Sequence, residues 1–318
     1  MTRVVCPAFV LVVLACLSGR ASAEVAYVTT QGDDGVSVVD PVAGKVIEVL
    51  RVGHKPAGVA VAPDGRRVYV TNPEGHSVSM IAVDGERRAV VAAAPAGAGP
   101  LGVAVGPRDG RVFVADWYGD TVAVLDGASL AQVGTLHVGR SPSGMAADAA
   151  RNRLYVANRE SDSVSVVDLA TLAVVATIPV GRAPFGVTVA SDGRVFTANV
   201  QSSDVSVIDP AALADVRRLP VGAFPYAVAV TPDGSRILAT NQHDGTVSAF
   251  DGTSYAALPT VEVGDYPEGI AISADGLRAY VAVWMDDRLA TIDLASGAVT
   301  KIKVGVSPRA FGVFLGPR

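Results

Sequence analysis

The chain has 318 residues, half of them apolar, with 18% charged residues and a formal net charge of −5. That balance excludes a disordered chain. It also gives no general attraction to nucleic acid or anionic lipid, so a nucleic-acid partner is not expected and would need a local basic patch.

The first residues read as a targeting segment. Arg3 supplies a short positive start, residues 4–19 carry no charge, and Ala21-Ser22-Ala23 is the small-residue pattern that an export protease cuts. Residues 1–23 are expected to be a signal peptide, with Glu24 as the new terminus and the periplasm or the exterior as destination. The uncharged run is shorter than the roughly 20 residues of a membrane-spanning helix, so no such helix is expected. A second reading is a lipoprotein signal, because Val13-Leu14-Ala15 before Cys16 resembles a lipid-attachment box. Cys6 and Cys16 both lie in this segment. Cleavage would therefore leave no thiol for a disulfide or a metal, and 24 basic against 31 acidic residues once Arg3 and Arg20 are gone.

The rest of the chain is periodic. An aromatic or apolar residue marks a short strand at Tyr27, Tyr69, Phe113, Tyr155, Phe196, Leu238 and Tyr280, at steps of 42, 44, 42, 41, 42 and 42 residues. Each is followed by an alternating strand ending in Asp40, Asp84, Asp126, Asp168, Asp209, Asp251 or Asp293, and a proline recurs at 56, 100, 142, 184, 225, 267 and 308. Within one repeat, Gly58–Ala62, Arg67–Thr71, Ser77–Val83 and Arg88–Ala94 read as four strands, with Pro63-Asp64-Gly65 as a tight turn. Four strands in about 40–45 residues is the blade of a β-propeller.

Seven blades follow by counting. Gly58, Gly102, Gly144, Gly186, Gly269 and Gly312, with Ala227, open the first strand of each blade, where blades converge and only small residues fit. The chain after residue 23 starts at a second strand and ends with a first strand, Ala310–Leu315. The C-terminal strand is therefore expected to complete the N-terminal blade. The expected fold is all-β: one domain, 24–318, a closed seven-bladed propeller with four antiparallel strands per blade.

Tyr69-Val70-Thr71-Asn72, with the variants Tyr155-Val156-Ala157-Asn158 and Leu238-Ala239-Thr240-Asn241, resembles the motif of the YVTN-repeat β-propellers, as do the Val-Gly-x-x-Pro-x-Gly segments 138–144 and 180–186. The resemblance spans residues 24–318. It implies a periplasmic or cell-surface propeller, some of whose kin are thought to bind nucleic acid or ligands. Related propellers occur as lactonases, in quinone-dependent oxidation systems and as a haem domain, but a fold does not carry activity. No catalytic motif of these proteins is present here to transfer.

Variation between repeats falls on one face, made by the loops leading into the first strands and the loops between second and third strands. The candidate ligand-binding residues there are Trp117, Arg140, Arg182, Phe185, Phe224, Tyr226, Tyr266 and Trp284, because aromatics and arginine are the usual anchors of binding surfaces. Arg140, Arg159 and Arg182 on adjacent blades suggest an anion-facing sector, opposite Asp265, Glu268, Asp286 and Asp287. His54, His76 and Glu74 are a candidate metal set, two imidazoles and a carboxylate with open positions. Gly97-Ala98-Gly99-Pro100-Leu101-Gly102 matches a dinucleotide fingerprint but leads into a strand, so the helix terminus that chemistry needs is missing.

The leading expectation is an exported binding module, with an unknown protein or small-molecule ligand, and a monomer. No motif specifies a cofactor, and none is expected. The alternatives are a periplasmic enzyme or oxidoreductase accessory, lactonase-like or metal-dependent, and a cell-surface structural protein or lipoprotein.

Overall fold

The computed structural model describes residues 24–318. The expected signal peptide, with Cys6 and Cys16, lies outside the described residues. Seven sheets form a ring. Blade 1 contains Glu24–Thr30, Gly35–Asp40 and Lys45–Arg51. Blades 2 to 7 are residues 58–95, 100–137, 142–179, 184–220, 225–262 and 267–303, each with four antiparallel strands in chain order. The only helical turns among the described residues are two short 3-10 segments, Gln31–Asp33 and Arg159–Ser161. No helix among the described residues is long and apolar enough to cross a membrane.

Each repeated marker has a physical task. The strand-opening aromatics are buried between blades, and the Tyr69 hydroxyl donates to Gly127 O of the next blade at 2.5 Å. The asparagine closing the motif ties three segments together. Asn158 Nδ2 donates to Ser165 Oγ at 2.9 Å in the third strand, while Oδ1 accepts from Gly139 N at 3.1 Å in the lead-in loop. Asn72 makes the equivalent bonds to Ser79 and Gly53. The Val-Ser alternation thus supplies both a buried apolar face and the serine that this asparagine needs.

The strand-ending aspartates are turn formers. Asp168 Oδ1 accepts from the backbone of Ala170 and Thr171 at 3.0 and 2.8 Å, and Asp40, Asp126, Asp209, Asp251 and Asp293 repeat the pattern. Asp84 departs from it: it pairs with Arg87 across a two-residue turn in which Gly85 takes a φ of 57°. The inner-strand glycines are required by closeness. A Cβ on Gly102 would stand 1.9 Å from Ser143 O of the neighbouring blade, and one on Gly144 2.3 Å from Phe185 O.

The C-terminal strand closes the ring onto blade 1, as expected, but with a different register. Leu315–Pro317 pairs with Glu24–Ala26, and Pro308 bridges to Thr30. In blade 5 five residues separate Pro184 from Val189, which pairs with Val195. In the closing strand seven separate Pro308 from Leu315 over the same partner span. Ala310, not Gly312, therefore holds the position of the blade-opening glycines, and Phe311-Gly312 are two extra residues. They bulge toward the axis, where Phe311–Val313 pairs in parallel with Gly58–Ala60 of blade 2. The expected inner strand Ala310–Leu315 is thus broken, and its displaced half enters the central channel.

Candidate functional site

Three repeated positions of each blade face the channel or its rim on the loop side. The first is the residue before the recurring proline. At Lys55, Ser141, Ala183, Phe224, Tyr266 and Ser307 it takes a left-handed backbone, φ 50–59°. At Lys55, Ser141, Ala183 and Ser307 an aspartate of the neighbouring loop clamps it: Asp162 Oδ1 accepts from Ala183 N at 2.8 Å, and Asp287 Oδ1 from Ser307 N at 2.8 Å. Small residues suit this conformation, whereas bulky side chains there carry strain. Phe224 and Tyr266 are the two aromatic exceptions.

The second position follows the proline: Ala57, Leu101, Ser143, Phe185, Tyr226, Glu268 and Arg309. The third follows the second strand: Gln31, Pro73, Trp117, Arg159, Val200, Gln242 and Trp284. Two side chains of the third position reach the second position further round the ring: Gln242 Nε2 donates to Glu268 Oε1 at 3.1 Å, and Trp117 packs toward Phe185. In both sets the large and polar residues belong mainly to blades 3 to 7.

Phe311 meets these rings at the axis. Its centroid is 4.9 Å from Phe185 and 5.6 Å from Tyr226, Phe185 and Tyr226 are 4.2 Å apart, and Trp117 lies 6.2 Å from Phe185. Tilted aromatic pairs at such spacing add about 0.5–1.5 kcal/mol each beyond their burial. The cluster plugs the channel.

A polar group stands beside the plug. Arg309 Nε donates to Glu268 Oε2 at 2.6 Å, and its Nη2 reaches Glu268 Oε1 at 3.2 Å and the Tyr226 hydroxyl. Burial pushes the Tyr226 hydroxyl far above its ordinary range, so it stays protonated. Burial also raises the Glu268 carboxyl, against the pull of Arg309 and Gln242. Burial opposes the Arg309 charge too, but Glu268 and Tyr226 outweigh it and hold the guanidinium charged.

The residues named from sequence fall into two groups. Trp117, Phe185, Tyr226 and Trp284 stand on the inner rings. Phe224 and Tyr266 form an outer rim with His243, which stacks on Phe224 at 3.7 Å and lies 5.5 Å from Tyr266. Tyr266 in turn lies 6.0 Å from Trp284. Arg140 and Arg182 are exposed on outer loops, each donating Nη2 to a main-chain oxygen of its own blade, Glu160 O at 2.7 Å and Gln201 O at 2.8 Å. Arg159 is instead drawn inward over the Trp117 ring, 5.6 Å from its centroid.

The supposed acidic sector is mostly engaged. Glu268 holds Arg309, Asp286 holds Lys301 at 2.8 Å, and Asp287 clamps a loop.

His54 and Glu74 do come together, Nε2 to Oε2 at 3.3 Å, but the third partner is Asp34, 3.0 Å from Nδ1. His76 turns away, its Nδ1 bonding Ala98 O at 2.7 Å. Among the described residues no group of three His, Asp or Glu is arranged to hold a metal. The expected set of His54, His76 and Glu74 is therefore replaced by an exposed imidazole between two carboxylates.

Below the plug the channel is an apolar cavity of about 610 Å³, open toward the Pro-Asp-Gly turns and lined by small side chains such as Ala60, Val103, Val187 and Ile270. Its Thr188 hydroxyl is spent on Val228 O at 2.5 Å. Binding sites combine apolar walls with a few placed polar groups, and this half of the channel lacks the second ingredient. The loop side has both.

Fold and site together define a plugged seven-bladed β-propeller with one elaborated face. A family model described as YNCE-like beta-propeller matches residues 11–152. Among solved structures, a protein of unknown function from Desulfotomaculum acetoxidans is similar at TM-score 0.77 and 14% identity, over 91% of this chain and 99% of that one. A Bacteroides fragilis protein assigned provisionally as a 6-phosphogluconolactonase gives TM-score 0.77 and 16% identity, over 91% and 97%. Kuenenia stuttgartiensis hydrazine synthase gives TM-score 0.70 and 21% identity, over 79% and 87%. Likeness at these identities establishes the fold alone. No curated protein sequence matches the chain.

Proposed function

We propose that this is an exported binding module whose loop face, on blades 3 to 7, docks a partner molecule. One observation carries the reading. Aromatic and charged residues occupy the same repeat positions that hold small residues elsewhere on the ring, including two aromatics in a left-handed backbone. Phe224 keeps 37% of its surface exposed there, although burial would be the gain expected of an aromatic placed for stability. Backbone strain and exposed aromatics mark binding surfaces more often than structural ones.

Two measurements test it. Immobilised protein is offered the exported fraction of its own cells, beside a Trp117→Ala, Phe224→Ala, Tyr266→Ala variant; partners held by the wild type are expected to be lost by the variant. Equal retention contradicts the reading. The intact mass of the exported protein is expected to begin at Glu24. An acylated Cys16 would instead make it a membrane-tethered module with the same working face.

An enzyme of the lactonase kind is the weaker reading. It rests on fold likeness, and the clustered imidazole, His54, lies on an outer loop with its side chain 54% exposed, away from the axis.

A further inference from the structure

Every blade ends in an outer strand whose far edge is unpaired among the described residues. Such an edge presents a row of free N–H and C=O groups that another strand can join, so folded proteins block it. In blades 1 to 6 the block is the same. The register of the outer strand against the third strand slips by one residue. The slip leaves an extra residue on the outer strand, which in blades 2 to 5 is Val91, Val133, Val175 or Val216, each at least half exposed. A bulge of this kind bends the strand and interrupts its line of pairing groups.

Blade 7 is the exception. Its pairs run in one unbroken register from Arg288 with Lys303 to Ile292 with Val299, and on to Asp293 N donating to Ala298 O at 2.9 Å. The outer strand Val299–Lys303 therefore has a straight edge. Lys301 and Lys303 project from one face of it, and the register sets Arg288 beside Lys303 on that face. Asp286 answers Lys301 at 2.8 Å, whereas Lys303 is exposed and in no ion pair among the described residues. Three cations thus meet one carboxylate, in a chain whose residues 24–318 carry 24 basic against 31 acidic side chains.

Lysine guards an edge by charge rather than by shape, so it selects what may pair. It refuses a second copy of the chain. A two-fold antiparallel pairing of this strand with itself would set Lys301 opposite Lys301, and like charges directly opposite destabilise a sheet. The bulged edges of the other blades offer a second copy no continuous line to pair with. An acidic strand meets neither obstacle.

We propose that the outer edge of blade 7 docks an extended acidic segment of another protein, which joins the sheet as a fifth strand with carboxylates opposite Lys301 and Lys303. Main-chain hydrogen bonds supply affinity and the alternate side chains supply specificity. The site goes beyond the loop-face reading and does not rest on it, because it uses the outer wall of the ring.

The probe is acetyl-Glu-Val-Glu-Thr-Val-amide, whose residues in antiparallel register face Lys303, Ile302, Lys301, Thr300 and Val299 in turn. Its reference is the same peptide with both Glu replaced by Lys. Backbone amide NMR of the exported protein is expected to show saturable shifts at Val299–Lys303, with the Lys peptide weaker by about tenfold or more. Only alternate residues of an added strand turn their N–H groups to the sheet. N-methylating the peptide in one phase is therefore expected to abolish binding, and in the other phase to leave it near the parent's. Lys303→Glu is expected to remove the preference for the acidic peptide while keeping the urea midpoint near the wild type. The N-methyl series uses the wild type and carries the test if Lys303→Glu does not fold.

Equal binding of the two peptides overturns the proposal, as does an equal loss from either N-methyl phase. So do shifts spread over the outer strands of the other blades, or no shift with millimolar peptide. The Trp117→Ala, Phe224→Ala, Tyr266→Ala variant is expected to bind the acidic peptide as the wild type does, so this edge and the loop face stand or fall separately.

Discussion

The two halves of the central channel are built from the same repeat and have diverged in opposite ways. Below Phe311 every blade contributes a short strand of small aliphatic residues and a tight turn, so the wall is smooth and apolar. Above Phe311 the corresponding positions run from Ala57 to Arg309 and from Pro73 to Trp284. One face is held uniform because blade convergence leaves no room for change. The other lies beyond the tightest approach, where a substitution alters the surface without disturbing the ring. A repeat fold can thus keep its closure constraints and its chemistry on opposite faces.

Substitutions can break this contrast, most severely at the convergence itself. Gly102→Val would drive a side chain into Ser143 O, 1.9 Å from its Cβ. A loss exceeding about 3 kcal/mol is expected, through overpacking against backbone that cannot yield; soluble yield and urea unfolding check it. Next comes the partition. Phe311→Ala is expected to cost about 3 kcal/mol, the range for a buried phenylalanine, and to open the cavity toward the loop face. Chemical denaturation reads the first effect and a crystal structure the second.

A smaller effect separates the faces by pH. On the turn side, the Asp126 carboxyl is held low by the hydroxyl and backbone N–H of Ser129. Asp168, Asp251 and Asp293 are held low by Thr171, Ser254 and Ser296 in the same way. Asp233 is held at about 2, chiefly by the Thr231 hydroxyl and the Ser235 backbone N–H. A carboxyl lowered on folding stabilises above its ordinary value of about 4, and that contribution fades as pH falls through the folded value. Stability is therefore expected to decline from about pH 4 toward about pH 2. Changing Asp126, Asp168, Asp251 and Asp293 to Asn should flatten the decline, which urea midpoints across that range would show. A slope unchanged by the four substitutions would contradict this account. The smallest effect belongs to the loop rim. Phe224→Ser and Tyr266→Ser, which copy other blades, are expected to leave stability within about 0.5 kcal/mol while removing partner binding.

The ring was legible in the sequence because its constraints repeat. A glycine demanded by a neighbouring carbonyl, an aspartate that closes a turn and an aromatic between blades recur at nearly constant steps. The plug was hidden by the same regularity. Pro308 and Gly312 look like another proline–glycine pair, and only pairing to blade 1 shows two extra residues between them. The polar group beside the plug was obscured by distance along the chain, since Glu268 and Arg309 are separated by 41 residues. Its signal was nevertheless present. Aligning the seven repeats on their prolines and reading the next residue gives three small or aliphatic side chains, then Phe185, Tyr226, Glu268 and Arg309. His76 misled because it was placed by loop proximity, and its left-handed backbone, φ 48°, sends the imidazole to Ala98 O instead.

The central claim is that the working face is the loop face above Phe311, and capture from the exported fraction by the wild type beside the Trp117→Ala, Phe224→Ala, Tyr266→Ala variant tests it most directly. The account predicts that a partner held by the wild type is lost by the variant. Equal retention by the two proteins would contradict the account.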